Sequence, residues 1–284
     1  MEFSEIKESL KEFLKQQDEF KDYNFEGSGL NAILDLLAYN SQNNAYLANM
    51  LANEAEIDTA IIRANVVSRA KLLGYTPKRA TAARAVLSLS INDPSKHVAS
   101  LVLPRGARFT VKSDRQQYTF VTLQEHVLQG DGNGLYKNDA VEVFEGILKG
   151  YSFTVDSDER RYIIPSTKID TSTIRMAVYD NQTANQYTVY EKASGLANIK
   201  ADTPAYWVYE TDGENYEVKF GDGVFGKRPP LNGIVYVEYL ETNGPDANDF
   251  SRFSLVGSFD GYENADVRIS VVAKSAGGAD PEAT

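Results

Sequence analysis

Residues 58–91, DTAIIRANVVSRAKLLGYTPKRATAARAVLSLSI, carry two different periodicities on either side of one proline. Before Pro77, the apolar residues Ile61, Ile62, Val66, Val67, Ala70 and Leu73 recur at spacings near three and four, as one face of a helix requires. Asp58 is placed to cap the start of that helix, and Gly74 followed by Pro77 to end it. After Pro77, Val86 to Ile91 alternate apolar with small polar residues, the pattern of a half-buried strand. The chain changes structural class here. The expected fold is α+β: a helical, partner-binding and dimerising region over residues 1–76, then a mainly antiparallel β body over 77–284 with subdomains 77–200 and 201–284.

Upstream, Phe3, Ile6, Leu10, Phe13, Leu14 and Phe20 share one helix face between solvated Glu and Lys residues. A break at Asp22 to Gly29 follows, with Ser28 as candidate N-cap of a second helix beginning about Leu30. Leu30, Ile33, Leu34, Leu37, Tyr46, Leu47, Met50 and Leu51 cover more than one stripe of that helix, so it should be buried on more than one side. The first helix has no obvious home in the chain, so its Phe3, Ile6, Leu10, Phe13 and Leu14 are candidates to enter a bundle with partner helices. Leu30, Leu34, Leu37, Leu47, Met50 and Leu51 are candidates for the core or for self-association.

Downstream, strands are expected at 99–103, 108–111, 118–123, 140–148, 151–155, 162–164, 174–179, 186–190, 205–210, 216–220, 234–240 and 267–273, separated by Gly, Asp, Asn and Pro. Residues 246–266 have a weak pattern and read as an irregular connection or a partner-contact loop, with Phe250, Phe253, Leu255 and Val256 arguing against full disorder.

Composition narrows the chemistry. The 284 residues include 40 acidic and 29 basic side chains, a net charge of -11 that repels phosphate backbones, so nucleic-acid binding is not expected. With no cysteine and two histidines, disulfides, thiolate chemistry and ordinary zinc ligation fall away. The start MEFSEIKESLKEF is no secretory signal, and no apolar run reaches the ~20 residues of a membrane span. No cofactor, metal site or catalytic residue is expected.

The weaker constellations support that reading. Asp131, Asn133 and Glu142 have the spacing of a calcium loop, but Leu135 and Tyr136 stand where a ligand and the turn glycine belong, which favours a hairpin turn. His97 and His126 have no triad grouping around them, and Asp156, Asp158 and Glu159 are the acidic pairs an acidic surface makes by chance. Lys78, Arg79 and Arg84, with Arg63, Arg69 and Lys71 before them, form a local cationic excess that suits a helix terminus or an acidic partner. The most specific local sequence is YEVKFGDGVFGKRPP over 216–230: Gly221, Asp222, Gly223, Gly226, Pro229 and Pro230 define a rigid hairpin-like turn without phosphate-loop spacing.

Residues 220–248, FGDGVFGKRPPLNGIVYVEYLETNGPDAN, together with 27–80, GSGLNAILDLLAYNSQNNAYLANMLANEAEIDTAIIRANVVSRAKLLGYTPKRA, resemble the baseplate wedge proteins of T4-like contractile phages, in the wider baseplate J-like family. The resemblance implies a non-enzymatic virion subunit that pairs with a second copy and, repeated six-fold, makes a ring around the central hub and tube. It also implies that the N-terminal helices join a bundle with another wedge subunit and that smaller, sheath-initiator-like proteins link it to the sheath. The implied location is the tail baseplate, after synthesis in the host cytoplasm. Family chains continue past the point matching SAGGADPE, residues 275–282, so ring contacts of that later region are not expected from this chain. Two rival readings are a glycan-binding or glycan-cleaving tail module, favoured by 17 tyrosines, and a β-rich adhesin outside phages.

Overall fold

The computed structural model describes residues 2–72, 78–113, 116–156, 161–193, 199–211 and 215–282. The chain divides after Pro77 into two compact units.

The first unit holds α1 (Phe3–Lys15), a single 3-10 turn (Asp18–Phe20), α2 (Gly29–Ala55) and α3 (Arg63–Leu72). The Glu2 amide donates to the Glu5 carboxylate at 3.0 Å, which satisfies one orphan N–H at the start of α1. The expected single helix from Phe3 to Phe20 stops at Lys15, because Gln17 is extended (ψ 137°). Phe20 instead joins an aromatic group with Tyr23 and the buried Phe25. Ser28 sits at the N-cap position of α2, but its hydroxyl donates back to the Phe25 carbonyl at 3.0 Å and caps nothing.

Helix α1 packs antiparallel on α2, since Lys7 pairs with Asp35 at 2.5 Å while Lys11 reaches back to Glu26 at 3.8 Å. At 1.5 Å per residue α1 is ~20 Å long and α2 ~40 Å, so α1 covers about half of its partner. Leu34 and Ala38 are buried beneath it. Contrary to what its apolar pattern leads one to expect, the described residues do not enclose α2 on more than one side: its buried residues are Leu34, Ala38 and Glu54.

Helix α3 begins at Arg63 and not at Asp58, which lies in a turn. The competing cap comes from the preceding helix. The Glu54 carboxylate accepts the Ile61 amide at 2.9 Å, the Ile62 amide at 3.3 Å and the Asn65 side-chain amide at 2.8 Å, so Ile61 and Ile62 precede the helix. The expected stop at Leu73, Gly74 and Pro77 lies outside the described residues.

Among its described residues the second unit is built of strands and turns, with one short 3-10 helix at Gly244–Ala247. In chain order its strands are β1 (Arg84–Asn92), β2 (Ser100–Leu103), β3 (Arg108–Lys112), β4 (Gln117–Val121), β5 (His126–Gly130) and β6 (Leu135–Glu145). There follow β7 (Ile147–Thr154), β8 (Tyr162–Ile164), β9 (Ile169–Tyr179), β10 (Tyr187–Lys192), β11 (Ala205–Glu210), β12 (Tyr216–Phe220) and β13 (Ile234–Glu241). The last are β14 (Ser254–Val256), the short ribbon β15 (Ser258–Phe259) and β16 (Tyr262–Glu263), and β17 (Val267–Ala276). The α+β class expected from the change of period is therefore observed.

Two sheets organise these strands. The first runs β14-β3-β4-β6-β1-β17, with β2 and β5 attached through β6, and the second runs β7-β13-β9-β10-β11-β12-β8. The second is an insertion: residues 147–241 leave the first sheet after β6 and return before β14. Residue 200 falls between β10 and β11, which pair in parallel inside the second sheet. The expected strand 140–148 is broken at Gly146 (φ 135°), where a side chain would overlap the Glu241 backbone, so β6 and β7 belong to different sheets. Strand β5 was absent from the sequence expectations. In the weakly patterned segment, Phe253, Leu255, Phe259 and Tyr262 fill the first core beside Leu87, Leu89, Phe109 and Phe120.

The second core is aromatic, with Phe153, Tyr162, Tyr190 and Tyr206 around Met176 and Val237. The Tyr206 hydroxyl donates to the Ile174 carbonyl at 2.9 Å, which satisfies the polar end of a buried ring. Between the sheets lie a small apolar cluster, Ala82, Val121 and Leu240, and two buried carboxylates. Glu145 accepts from the Thr242 hydroxyl (2.7 Å), the Asn243 amide (3.0 Å) and the Asn243 side chain (2.6 Å). Asp170 accepts from the Ala82 amide at 2.9 Å and from Ser172. An Arg105–Glu238 ion pair adds a third tie between the sheets.

Candidate assembly surfaces

The residues proposed from sequence for a helix bundle separate into a covered and an open set. Phe3, Ile6, Leu10 and Leu14 are half-buried on the α1 face that packs on α2, while Phe13 is 61% exposed. Along α2, Leu34 is core and Leu30 half-buried, whereas Leu37, Leu47, Met50 and Leu51 are exposed, Leu51 by 74%. Leu47, Met50 and Leu51 stand at i, i+3 and i+4 and share a face with no cover from the described residues of the chain. Ile61, whose amide donates to Glu54, is 84% exposed. Hydrogen bonds from Asn65 and then from the Ile61 amide hold the Glu54 carboxyl below its ordinary range, so this anionic clasp stays charged at neutral pH.

The turn over 221–230 has the rigidity its glycines implied. The Asp222 carboxylate accepts the Val224 and Phe225 amides, both at 2.8 Å, and those bonds, that of Phe225 first, hold it below the usual carboxylate range. A side chain on Gly221 would overlap the Gly226 backbone, so the two chain segments touch at a point only glycine permits. The loop is tied down by Gly226 N–H to the Lys200 carbonyl (3.0 Å) and Arg228 to the Asp222 carbonyl (2.8 Å). Pro229 is buried and Pro230 half-buried. The hairpin expectation needs correction: β12 and β13 are separated by three strands in the sheet, so this turn opens a crossover. Its tip presents Val224 and Phe225, the latter 52% exposed, which the glycine pattern had hidden.

The remaining candidates take structural roles. The Asp131 carboxylate accepts the Asn133 amide (2.7 Å) and the Leu135 amide (3.0 Å) in the β5–β6 hairpin turn, and Glu142 pairs with Arg84. His97 is exposed. His126 is buried, and removal from water pushes its imidazole pKa down despite a hydrogen bond to the Glu142 backbone. Arg79 lies over the Tyr216 ring at 4.6 Å, the Lys78 amide donates to Glu282, and the Lys71 side chain, Asp158 and Glu159 lie outside the described residues. Among the described residues no group of three or more acidic or histidine side chains is placed to hold a metal ion. No described helix is long and apolar enough to cross a membrane. A groove of about 540 Å³ runs beside the sheet junction, lined by Arg108, Thr110, Thr119, Ile147 and Leu148 among others.

Residues 2–75 match the family described as baseplate wedge protein gp6-like, helical domain. The baseplate wedge protein gp6 of Enterobacteria phage T4 is 29% identical in an alignment covering 89% of this chain and 40% of that protein. The chain thus spans less than half the length of this relative. A solved structure, the six-fold symmetrised cryo-EM baseplate of the anti-feeding prophage, aligns with 98% of this chain and 56% of its own at 12% identity. Its TM-score of 0.30 adds nothing to the fold assignment. The helical unit therefore matches the gp6-like wedge helical domain, and most of the chain is homologous to the T4 baseplate wedge protein.

Proposed function

We propose that the chain is a structural subunit of a contractile-tail baseplate wedge, which acts by association with a second copy of itself and with other wedge proteins, and not by catalysis. The observation that carries this reading is the homology to the T4 wedge protein, strongest in description over residues 2–75. The open apolar face of α2 supports it, because such a face on a helix in water is stabilised by covering it, at roughly 25 cal/mol per Å² of apolar surface removed. Ring assembly around a hub, contact with sheath-initiator-like and hub proteins, residence in the virion tail and synthesis in the host cytoplasm belong to the same proposal. So does the division of labour in which α2 meets partners while α1 steadies it.

The test is co-expression with the neighbouring wedge subunits of the same phage. A Leu47→Ser, Leu51→Ser double variant should fold with unchanged circular dichroism and fail to co-purify with its partners. Undiminished co-purification would overturn the role given to α2.

A further inference from the structure

The outward face of the second sheet has a slot whose chemistry the helical unit does not share. Its floor is Ala177 on β9, flanked across the strands by Tyr236 on β13 and Val189 on β10. Tyr236 leans over β7, where Gly150 leaves room: a side chain at 150 would overlap the tyrosine hydroxyl. That lean leaves open the space above Ala177. Along β9, two residues to either side, the slot is closed by Arg175 and Tyr179, and Tyr179 packs on Tyr187 with ring centroids 5.4 Å apart.

Arg175 is an exposed guanidinium with no ion pair or hydrogen bond among the described residues. Its cross-strand neighbour Glu238 also lines the slot, but Arg105 engages that carboxylate at Oε1 through both Nε (2.8 Å) and Nη2 and offsets its charge, which leaves Arg175 for another anion. The result is a planar cation with five donors at one end of a slot lined also by three tyrosines and the Arg105-paired Glu238, in a chain whose net charge is -11. At about 110 Å³ the slot is well below the roughly 300–1,000 Å³ of small-molecule sites and takes the head of one side chain. Tyrosine and arginine are the residue types that dominate the energetic centres of protein interfaces.

We propose that this slot is a docking site for an acidic side chain on an extended segment of a protein partner. The carboxylate pairs with the Arg175 fork, and its methylene stem lies against Tyr179, Tyr187 and Tyr236. The choice of a protein over a sugar rests in part on the assembly reading above; the charge and size of the ligand do not.

The experiment uses the full chain labelled at alanine methyl groups. It is titrated with a capped Val-Glu-Val tripeptide, its Val-Gln-Val counterpart, and glucuronate. The glutamate peptide should move the Ala177 methyl resonance saturably, the glutamine peptide should bind at least about tenfold more weakly, and Arg175→Ala should abolish the shift. Arg175→Lys should bind more weakly than the native chain, because a point charge cannot reproduce the fork. Equal response to both peptides would overturn the proposal, as would movement by glucuronate alone or no movement of Ala177. Because the titration needs no wedge partner, its failure leaves the assembly reading to its own co-purification test.

Discussion

At the scale of single residues, the glycines of the 221–230 turn do different work and should respond differently to substitution. Gly221 touches the Gly226 backbone, so Gly221→Ala must push the loop apart and should cost about 2 kcal/mol or more in urea unfolding. Gly223 faces open space but sits at φ +89°, so Gly223→Ala should cost only about 1 kcal/mol. His126 gives a pH dependence of definite sign. Its folded pKa lies below the ordinary value of about 6.5, so in the unfolded chain the imidazole takes up a proton first as pH falls. The folded state binds fewer protons in that window, and stability should drop from about pH 7 to about pH 5.5, before the carboxylates titrate. Urea midpoints across that range test this, and His126→Gln should flatten the slope. The glycine spacing made the turn readable from sequence, whereas the burial of His126 was not, because it depends on β5, a strand with too little alternation to be recognised.

At the scale of elements, the helices show where periodicity suffices and where it does not. The spacing of apolar residues located α2 to within a residue of its start, but it could not say which parts of its surface this chain covers. That follows from length: α1 is half as long as α2, so Leu34 lies beneath it while Leu47 and Leu51 lie beyond. Leu34→Ala should therefore destabilise the helical unit by about 2–4 kcal/mol, and Leu47→Ser by about 0.5 kcal/mol, measured by thermal circular dichroism of the full chain. The start of α3 was misplaced at Asp58 because the chain offers a stronger acceptor. Glu54, held rigidly at the end of α2, takes the amides of Ile61 and Ile62. Among the candidate assembly residues, the helical spacing of Leu47, Met50 and Leu51 can be read from the sequence, while the Val224–Phe225 tip and the Arg175 slot cannot. The slot exists only through cross-strand register among β9, β10 and β13, which local pattern does not encode.

At the scale of the whole β unit, the arrangement of one sheet inserted in another was invisible in sequence. Its defining pair, β7 with β13, joins residues some ninety positions apart, and Ile147 lies opposite Glu241. The Glu145 clasp sits where the chain leaves the first sheet and where it returns. Glu145→Ala would leave the buried Thr242 hydroxyl without its acceptor and release the partly exposed Asn243 donors, and should lower the unfolding free energy of this unit by about 1–3 kcal/mol in urea titrations.

That crossing also sets how the molecule bears load. A pull on the far end of the second sheet reaches the first chiefly along two adjacent antiparallel strands, zipped together by eight facing residue pairs and held at their base by Glu145, with Asp170 and the Arg105–Glu238 pair as side ties. Tension from that end runs the same way along both strands, so their two backbones share it while the ladder holds them in register. The insertion is thus a stiff, double-stranded strut, and a subunit built this way passes on a displacement instead of absorbing it.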